Sequence, residues 1–210
     1  MVQSLAISKA ITTMAEVEER FNLTQTSDSQ FFSEWFQDLP ELTGEEKATL
    51  DKIRSRFARH RRRGEMAEGT INLLLVSPLL ELAGFYDEPF FITTEPQVEI
   101  LIQDQDEILR GRIDTLVIHQ RFWVLVVESK RSISFEAGIP QVLAYMMGNP
   151  NPEKPVYSMV TDGSLFMFIK LLKQDSPQYD FSDVFSLLLL RQNKLYDILQ
   201  VLKQIGGAIA

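Results

Sequence analysis

Residues 111–130, Gly111-Arg-Ile-Asp-Thr-Leu-Val-Ile-His-Gln-Arg-Phe-Trp-Val-Leu-Val-Val-Glu-Ser-Lys130, decide how this chain is read. Two β-branched, apolar runs, Ile108–His119 and Phe122–Glu128, flank the polar step His119-Gln-Arg121, which is the pattern of a hairpin. The second run is almost continuously apolar, as expected of a strand covered on both faces. With the turn centred near Gln120, facing residues have numbers adding to about 241, and those of Asp114 and Glu128 add to 242. The two carboxylates are therefore predicted to be direct or nearly direct cross-strand neighbours.

Working outward, the period is two after Gly84, and Phe90–Thr94 and Val98–Ile102 read as short strands. Helical spacing returns from Phe135 to Met147, with Ile139, Val142, Leu143 and Met146 apolar and Pro140 tolerable only near the start. Val156–Thr161 and Leu165–Leu172 form a second hairpin turning at Asp162-Gly163. A last amphipathic helix is predicted from Val184 or later to Ile205, closing at Gly206-Gly207. Residues 1–63 read as helical. Ile7, Ile11, Met14, Val17 and Phe21 recur at spacings of three and four, and Ser29–Gln37 carries an aromatic stripe that suits the core. Thr43-Gly-Glu-Glu46 is a capping box opening a basic helix, and Glu65–Leu82 is a further helix in which Pro78 predicts a kink or break. The order predicts one α/β domain, bordering on α+β, with a mixed central sheet over 64–210 and residues 1–63 packed on it as a helical extension.

The bulk composition narrows the classes. At 210 residues, 45% hydrophobic and 24% charged, the chain suits one soluble globular domain. The absence of cysteine excludes disulfides, zinc-thiolate sites and cysteine nucleophiles. The N-terminus lacks the basic start and long apolar stretch of a signal peptide, and no apolar run approaches membrane-spanning length, so a cytoplasmic protein without a membrane partner is expected. The net charge of −8 argues against a polyanion partner until its distribution is considered. Lys47–Arg63 holds eight basic residues against the single acid Asp51, a window of +7 that leaves −15 for the rest. Such a segment is an electrostatic footprint for a polyanion or a solvated helix face.

Like charges directly opposite on a hairpin repel, and a carboxylate inside an apolar strand is costly unless something pairs with it. A divalent cation reverses the sign of that term. Asp114 and Glu128 are thus candidate ligands, and the Ser129 carbonyl is a third hard oxygen of the kind magnesium prefers. Lys130, two residues beyond Glu128, points to the same face of a strand, where an ammonium can orient an attacking water and stabilise charge on a phosphate. Gln141 and Tyr145 stand at i and i+4, on one face of the following helix. Upstream, Glu65 or Glu68 is a candidate outer carboxylate, with Glu68 preferred because it leads directly into the apolar face of its helix. His60 and His119 read as surface or packing residues. No phosphate-cradling glycine loop and no serine nucleophile elbow occurs.

With Asp114, Glu128-Ser-Lys130 and Gln141-Val-Leu-Ala-Tyr145 in place, the chain resembles the PD-(D/E)XK nuclease superfamily, whose fold is that of type II restriction endonucleases. Within it, the N-terminal nuclease domain of the restriction subunit of type I restriction enzymes looks similar. There a helical acid precedes a segment like Leu79-Leu-Glu-Leu-Ala-Gly84. The likeness covers roughly residues 65–170. It implies a four-stranded mixed core sheet flanked by helices, dependence on Mg2+ (with Mn2+ as substitute), and hydrolysis of nucleic acid, DNA above all. By analogy Asp114 and Glu128 are metal ligands, Lys130 the catalytic lysine, Gln141 and Tyr145 the helical motif, and Glu68 the outer acid. Ile113 replaces the superfamily's proline, and no motor or target-recognition domain accompanies the module. A homodimer would suit duplex cleavage. The competing expectation is a catalytically silent module of the same fold that binds nucleic acid or a protein partner. The two differ in whether positive charge, Arg112 and Arg131 included, gathers around Lys130.

Overall fold

The apolar faces predicted above close on two sheets and on one helix buried between them. A computed structural model of the chain describes residues 3–102, 107–119, 122–129, 135–174, 176–189 and 191–209. The first part of the chain forms β1 (Gln3–Ala6), α1 (Ile7–Ala10), α2 (Met14–Phe21), β2 (Thr24–Gln25), a 3-10 turn (Ser33–Trp35) and α3 (Gly44–Arg61). Next come α4 (Glu68–Ile71), a π-helical stretch (Asn72–Val76), α5 (Ser77–Leu82), β3 (Phe90–Thr94), β4 (Gln97–Ile102), β5 (Glu107–Arg112), β6 (Thr115–His119) and β7 (Phe122–Ser129). The chain continues through α6 (Phe135–Met147), β8 (Val156–Thr161), β9 (Leu165–Leu172), β10 (Gln178–Phe181), β11 (Phe185–Ser186) and α7 (Leu195–Ile209).

The larger sheet has the order β2-β10-β9-β8-β7-β6-β3, with β11 beside β9. Its core is an antiparallel meander of β3, β6 and β7, after which β8 lies parallel to β7 and β9 antiparallel to β8. A parallel neighbour needs a crossover, and α6 supplies it. The chain is therefore α/β with a mixed central sheet, larger than the four strands the resemblance implied. A second sheet, β1-β5-β4, pairs β5 antiparallel to β4 and parallel to β1. One apolar layer packs α3, α5 and α7 on Val117, Val127, Met159 and Phe168 of the large sheet. The other joins Leu116, Val126, Val160 and Ile169 of the large sheet to Val98 and Leu109 of the small one, with α1, α2 and α6 between them. Buried from Val142 to Met147, α6 is apolar around most of its circumference.

Several elements have the predicted bounds. Phe90–Thr94, Phe135–Met147, Val156–Thr161 and Leu165–Leu172 are found as read, and Gly163 at the second hairpin takes φ 82°. The capping box at Thr43 is complete: its hydroxyl accepts from the Glu46 N–H at 3.2 Å, and the Glu46 carboxylate accepts from the Thr43 N–H at 2.7 Å. Phe32 is fully buried in the core, as its aromatic stripe suggested.

Other expectations are corrected. Residues 1–63 are not all helical, because β1 pairs with β5 and β2 with β10. The helix expected across Ile7–Phe21 is interrupted where Ile11 is extended and Thr13 begins a new one with its own capping box to Glu16. Ser29–Gln37 holds only the 3-10 turn, since Asp28 draws the Gln30 N–H into a local side-chain bond at 2.9 Å and Asp38 takes a positive φ of 50°. Between Glu68 and Leu82 the interruption forced by Pro78 takes the form of the π-helical stretch just before it. The terminal helix begins at Leu195, whose N–H is accepted by the Asn193 side chain, and runs through Gly206 and Gly207 to Ile209. Ahead of it lie β10 and β11.

The linkage of α3 to α7 carries a pH dependence. Lys203 Nζ donates to Glu46 Oε1 at 2.5 Å. Burial acts to raise the Glu46 pKa, but the bonds from Lys203 and Thr43 outweigh it and hold the group below its ordinary value. A depressed carboxylate adds stability that is complete above its unfolded value, about 4.3, and is lost as the pH falls through the folded value. Glu46→Gln should therefore cost about 1 kcal/mol at pH 7 and flatten the acid limb below about pH 4.5, as read by urea titrations across that range. An unchanged acid limb in the variant would refute the assignment.

Candidate functional site

The predicted hairpin exists, and its register is the central observation at the site. Thr115 faces Val127, Leu116 faces Val126 and Val117 faces Leu125; a bulge then shifts the pairs to Ile118–Trp123 and His119–Phe122. The ladder ends at Thr115–Val127, so Asp114 and Glu128 are the next residues of the two chain segments beyond its last pair, Asp114 already in a bend. The expected single strand Ile108–His119 is two, β5 and β6, which belong to different sheets. At Ile113 and Asp114 the ribbon turns a corner: the Ile113 N–H bonds Pro96 O at 3.2 Å, and Asp114 O accepts the Glu95 N–H at 3.1 Å. Across that corner Glu95 sits at φ 52°. Asp114 thus occupies the bend between two sheets, half-buried, and not the interior of a strand as predicted.

Glu128 is the deepest of the described carboxylates, at 2% exposure. Asp162, also buried, is accounted for by the N–H groups of Ser164 and Leu165, which it accepts at 2.7 and 2.8 Å to close its turn. Alternation along β7 puts Glu128 on the face of Val126, toward α6, since Val127 belongs to the opposite layer. The parallel neighbour of Glu128 is Val160 and that of Ser129 is Thr161, so the backbone of Ser129 stands at the same sheet end. Lys130 and Arg131 lie outside the described residues.

From the other side α6 contributes Gln141, half-buried, and Tyr145, buried, on the layer that faces Glu128. Tyr145 lies against Gly111 so closely that a Cβ at that position would run into the ring, with Ile7 Cδ1 only 3.0 Å away. A glycine inside a strand is the sign of such a close approach. Gly111→Ala should displace Tyr145 and cost about 1–3 kcal/mol, measurable by thermal unfolding. A variant as stable as the parent would mean that the ring moves aside freely.

The remaining predicted residues sit as follows. Glu68 is half-buried in the first turn of α4, and Glu65 is exposed just before it. The approach to α4 reaches the correct end of the sheet, because Glu65, Met66 and Ile71 line one cavity with Asp162 and Ser164 of the turn after β8. Among the described residues, however, no three carboxylate or histidine side chains form a group able to hold a metal ion, so neither glutamate joins the pair closely. Arg112 makes an exposed ion pair with Glu95 at 3.2 Å. His119 is buried with its ring edge-on to Phe90 at 5.8 Å, a packing role. Among the described residues no helix is long and apolar enough to cross a membrane.

The donors present suit magnesium or manganese. Two carboxylates and a backbone carbonyl are hard oxygens, and magnesium keeps several of its own waters, so one or two protein carboxylates are enough. Comparison with known proteins adds no name to this geometry: the sequence matches no family model and no curated protein.

Proposed function

We propose that this chain is a metal-dependent nuclease, a cytoplasmic hydrolase of phosphodiester bonds in DNA, of the PD-(D/E)XK type. The observation that supports the reading is the β6–β7 register, whose last pair, Thr115–Val127, is flanked by Asp114 on one segment and the buried Glu128 on the other. A buried carboxylate is tolerated when it is paired or ligates a metal, and two carboxylates at one strand end are a donor set that a divalent cation can use. The order of elements supports the same reading: helix, three-stranded antiparallel meander, crossover helix, parallel strand.

In this reading Asp114, Glu128 and the carbonyl of Ser129 would hold the ion. When bound, magnesium would polarise the phosphate and make a nearby water easier to deprotonate by a base of the site. The protein's share is to fix both carboxylates on backbone that is tied down, Asp114 at the hydrogen-bonded corner and Glu128 between β6 and β8. Lys130 is assigned to positioning the water and neutralising charge on the phosphate. Gln141 and Tyr145 are assigned to the wall that would keep the phosphate in place, and Glu68 is assigned the part of the outer acid.

The test is cleavage of plasmid and single-stranded DNA with Mg2+ or Mn2+, run beside Lys130→Ala. Metal-dependent cleavage that the variant lacks, with unchanged melting, supports the reading. Full activity in the variant removes it. Binding without cleavage under any metal would point to a catalytically silent module of the same fold.

A further inference from the structure

The basic segment finds no use in the catalytic reading, and its placement gives it one. α3 buries Leu50, Ile53 and Phe57. Its last turns and the residues after them present Arg56, Arg59, Arg61, Arg62 and Arg63 to solvent. From Lys52 to Gly64 there is no acidic residue, and among the described residues none of these five arginines enters an ion pair. A helix C-terminus accounts for one or two cations in its last turn, but the effect fades beyond it and does not cover five. Like charges at this density repel one another. On a chain of net charge −8 they stand out as a positive face on an acidic body.

That face adjoins the end of the sheet where β7 delivers Glu128 and Ser129. Arg61 lines a cavity of about 210 Å³ together with Glu65, Asp162 and Ser164. Gly163 packs beneath Phe57 of α3, where a Cβ would come within 3.2 Å of the ring. Since β8 runs parallel to β7 with Val160 beside Glu128, Asp162 lies about 8 Å from Glu128 by strand geometry. Glu128 lies on the α6 side of the sheet and α3 packs on the opposite layer, so Glu128 and the arginines flank one sheet end. A ligand that meets both must be broad, and a duplex, whose major groove alone is about 12 Å across, spans them.

We propose that Arg56, Arg59, Arg61, Arg62 and Arg63 dock the phosphate backbone of a nucleic-acid duplex whose scissile strand lies over the end of β7. The proposal rests on the nuclease reading for what sits at that edge. The contacts are to phosphate, not to bases. Among the described residues the exposed aromatic side chains, Phe36, Tyr86 and Phe91, line none of the three cavities bordered by these arginines, and a single strand would need such rings to stack on.

Binding of a mixed-sequence DNA duplex, and of one of its strands, is measured in EDTA across a range of KCl concentrations, with no turnover to complicate it. The parent should favour the duplex. Arg59→Ala/Arg62→Ala/Arg63→Ala should weaken duplex binding about 10- to 100-fold, with the slope of log K against log salt falling by about 2 to 3. Replacing the same three arginines by lysine should restore most of the affinity, because phosphates accept point charges. Unchanged affinity and slope in the alanine variant, or tighter binding of the single strand than of the duplex by the parent, overturns the proposal. Duplex binding that depends on these arginines in a protein that cleaves nothing leaves the docking face standing and the nuclease reading refuted. Glu128-dependent cleavage that is indifferent to the arginines does the reverse.

Discussion

Glu128→Gln is expected to lower Mg2+-dependent DNA cleavage by about 10³-fold, equivalent to about 4 kcal/mol of transition-state stabilisation. The substitution keeps the shape of a side chain that is 2% exposed but removes the charge that Asp114 and a cation would share. A second readout does not depend on turnover. A ligand that binds only the folded state stabilises it, by about 2.7 kcal/mol when present at 100 times its dissociation constant. Mg2+ should therefore raise the melting temperature of the parent and leave that of Glu128→Gln unmoved. Cleavage that survives the change, or an equal magnesium-induced shift in both proteins, would sink the metal assignment at this pair.

Glu34→Ala should destabilise the fold by about 3 kcal/mol, the largest stability effect expected of any polar substitution considered. Glu34 Oε1 accepts from Lys170 Nζ at 2.6 Å and from the Tyr157 hydroxyl at 2.7 Å, tying the 3-10 turn to β8 and β9. The two ionised side chains are only 14% and 15% exposed, so removing one leaves the other charged in a poorly hydrated place. Lys170 also lies over the Phe31 and Tyr157 rings, at 5.4 and 5.8 Å from their centroids, which leaves it little room to find water. The Tyr157 hydroxyl keeps its proton well beyond the usual tyrosine range, first because it is buried and then because Glu34 is beside it. Urea unfolding would show the loss as a lower midpoint at constant slope. Pairing Glu34→Leu with Lys170→Met should recover most of it, because an apolar pair owes no desolvation cost. A loss under about 1 kcal/mol in the single variant would place this cluster among surface ion pairs.

What could be read from residues alone follows the range of the forces involved. The α6 helix, strands β3, β8 and β9, the Asp162-Gly163 turn and the Thr43 capping box all depend on spacing or on contacts a few residues apart, and each was found where it was read. The β6–β7 hairpin was also within reach, because a short hairpin sets its own register, and its ladder ends on the pair next to Asp114 and Glu128. β1 and β2 are short strands whose partners β5 and β10 lie far away in sequence, and β10, though it folds back on its neighbour β9, is only four residues long, so no local pattern marks them. The Glu34–Lys170 clasp spans 136 residues and leaves no trace in spacing.

The split at Asp114 divides the two kinds of information most clearly. Composition and period established that the run from Ile108 to His119 is extended and apolar, with one carboxylate in it. Folding decided that the run changes sheets there. β5 follows β4 and β6 follows β3, and the corner at Glu95-Pro96 obliges both strands of the ribbon to bend together. An extended backbone satisfies its hydrogen bonds with whichever strand lies beside it, so its own residues specify that it pairs but not with which sheet. The carboxylate at the corner comes from the chain's chemistry, and its place at the bend comes from the packing of two sheets on one helix.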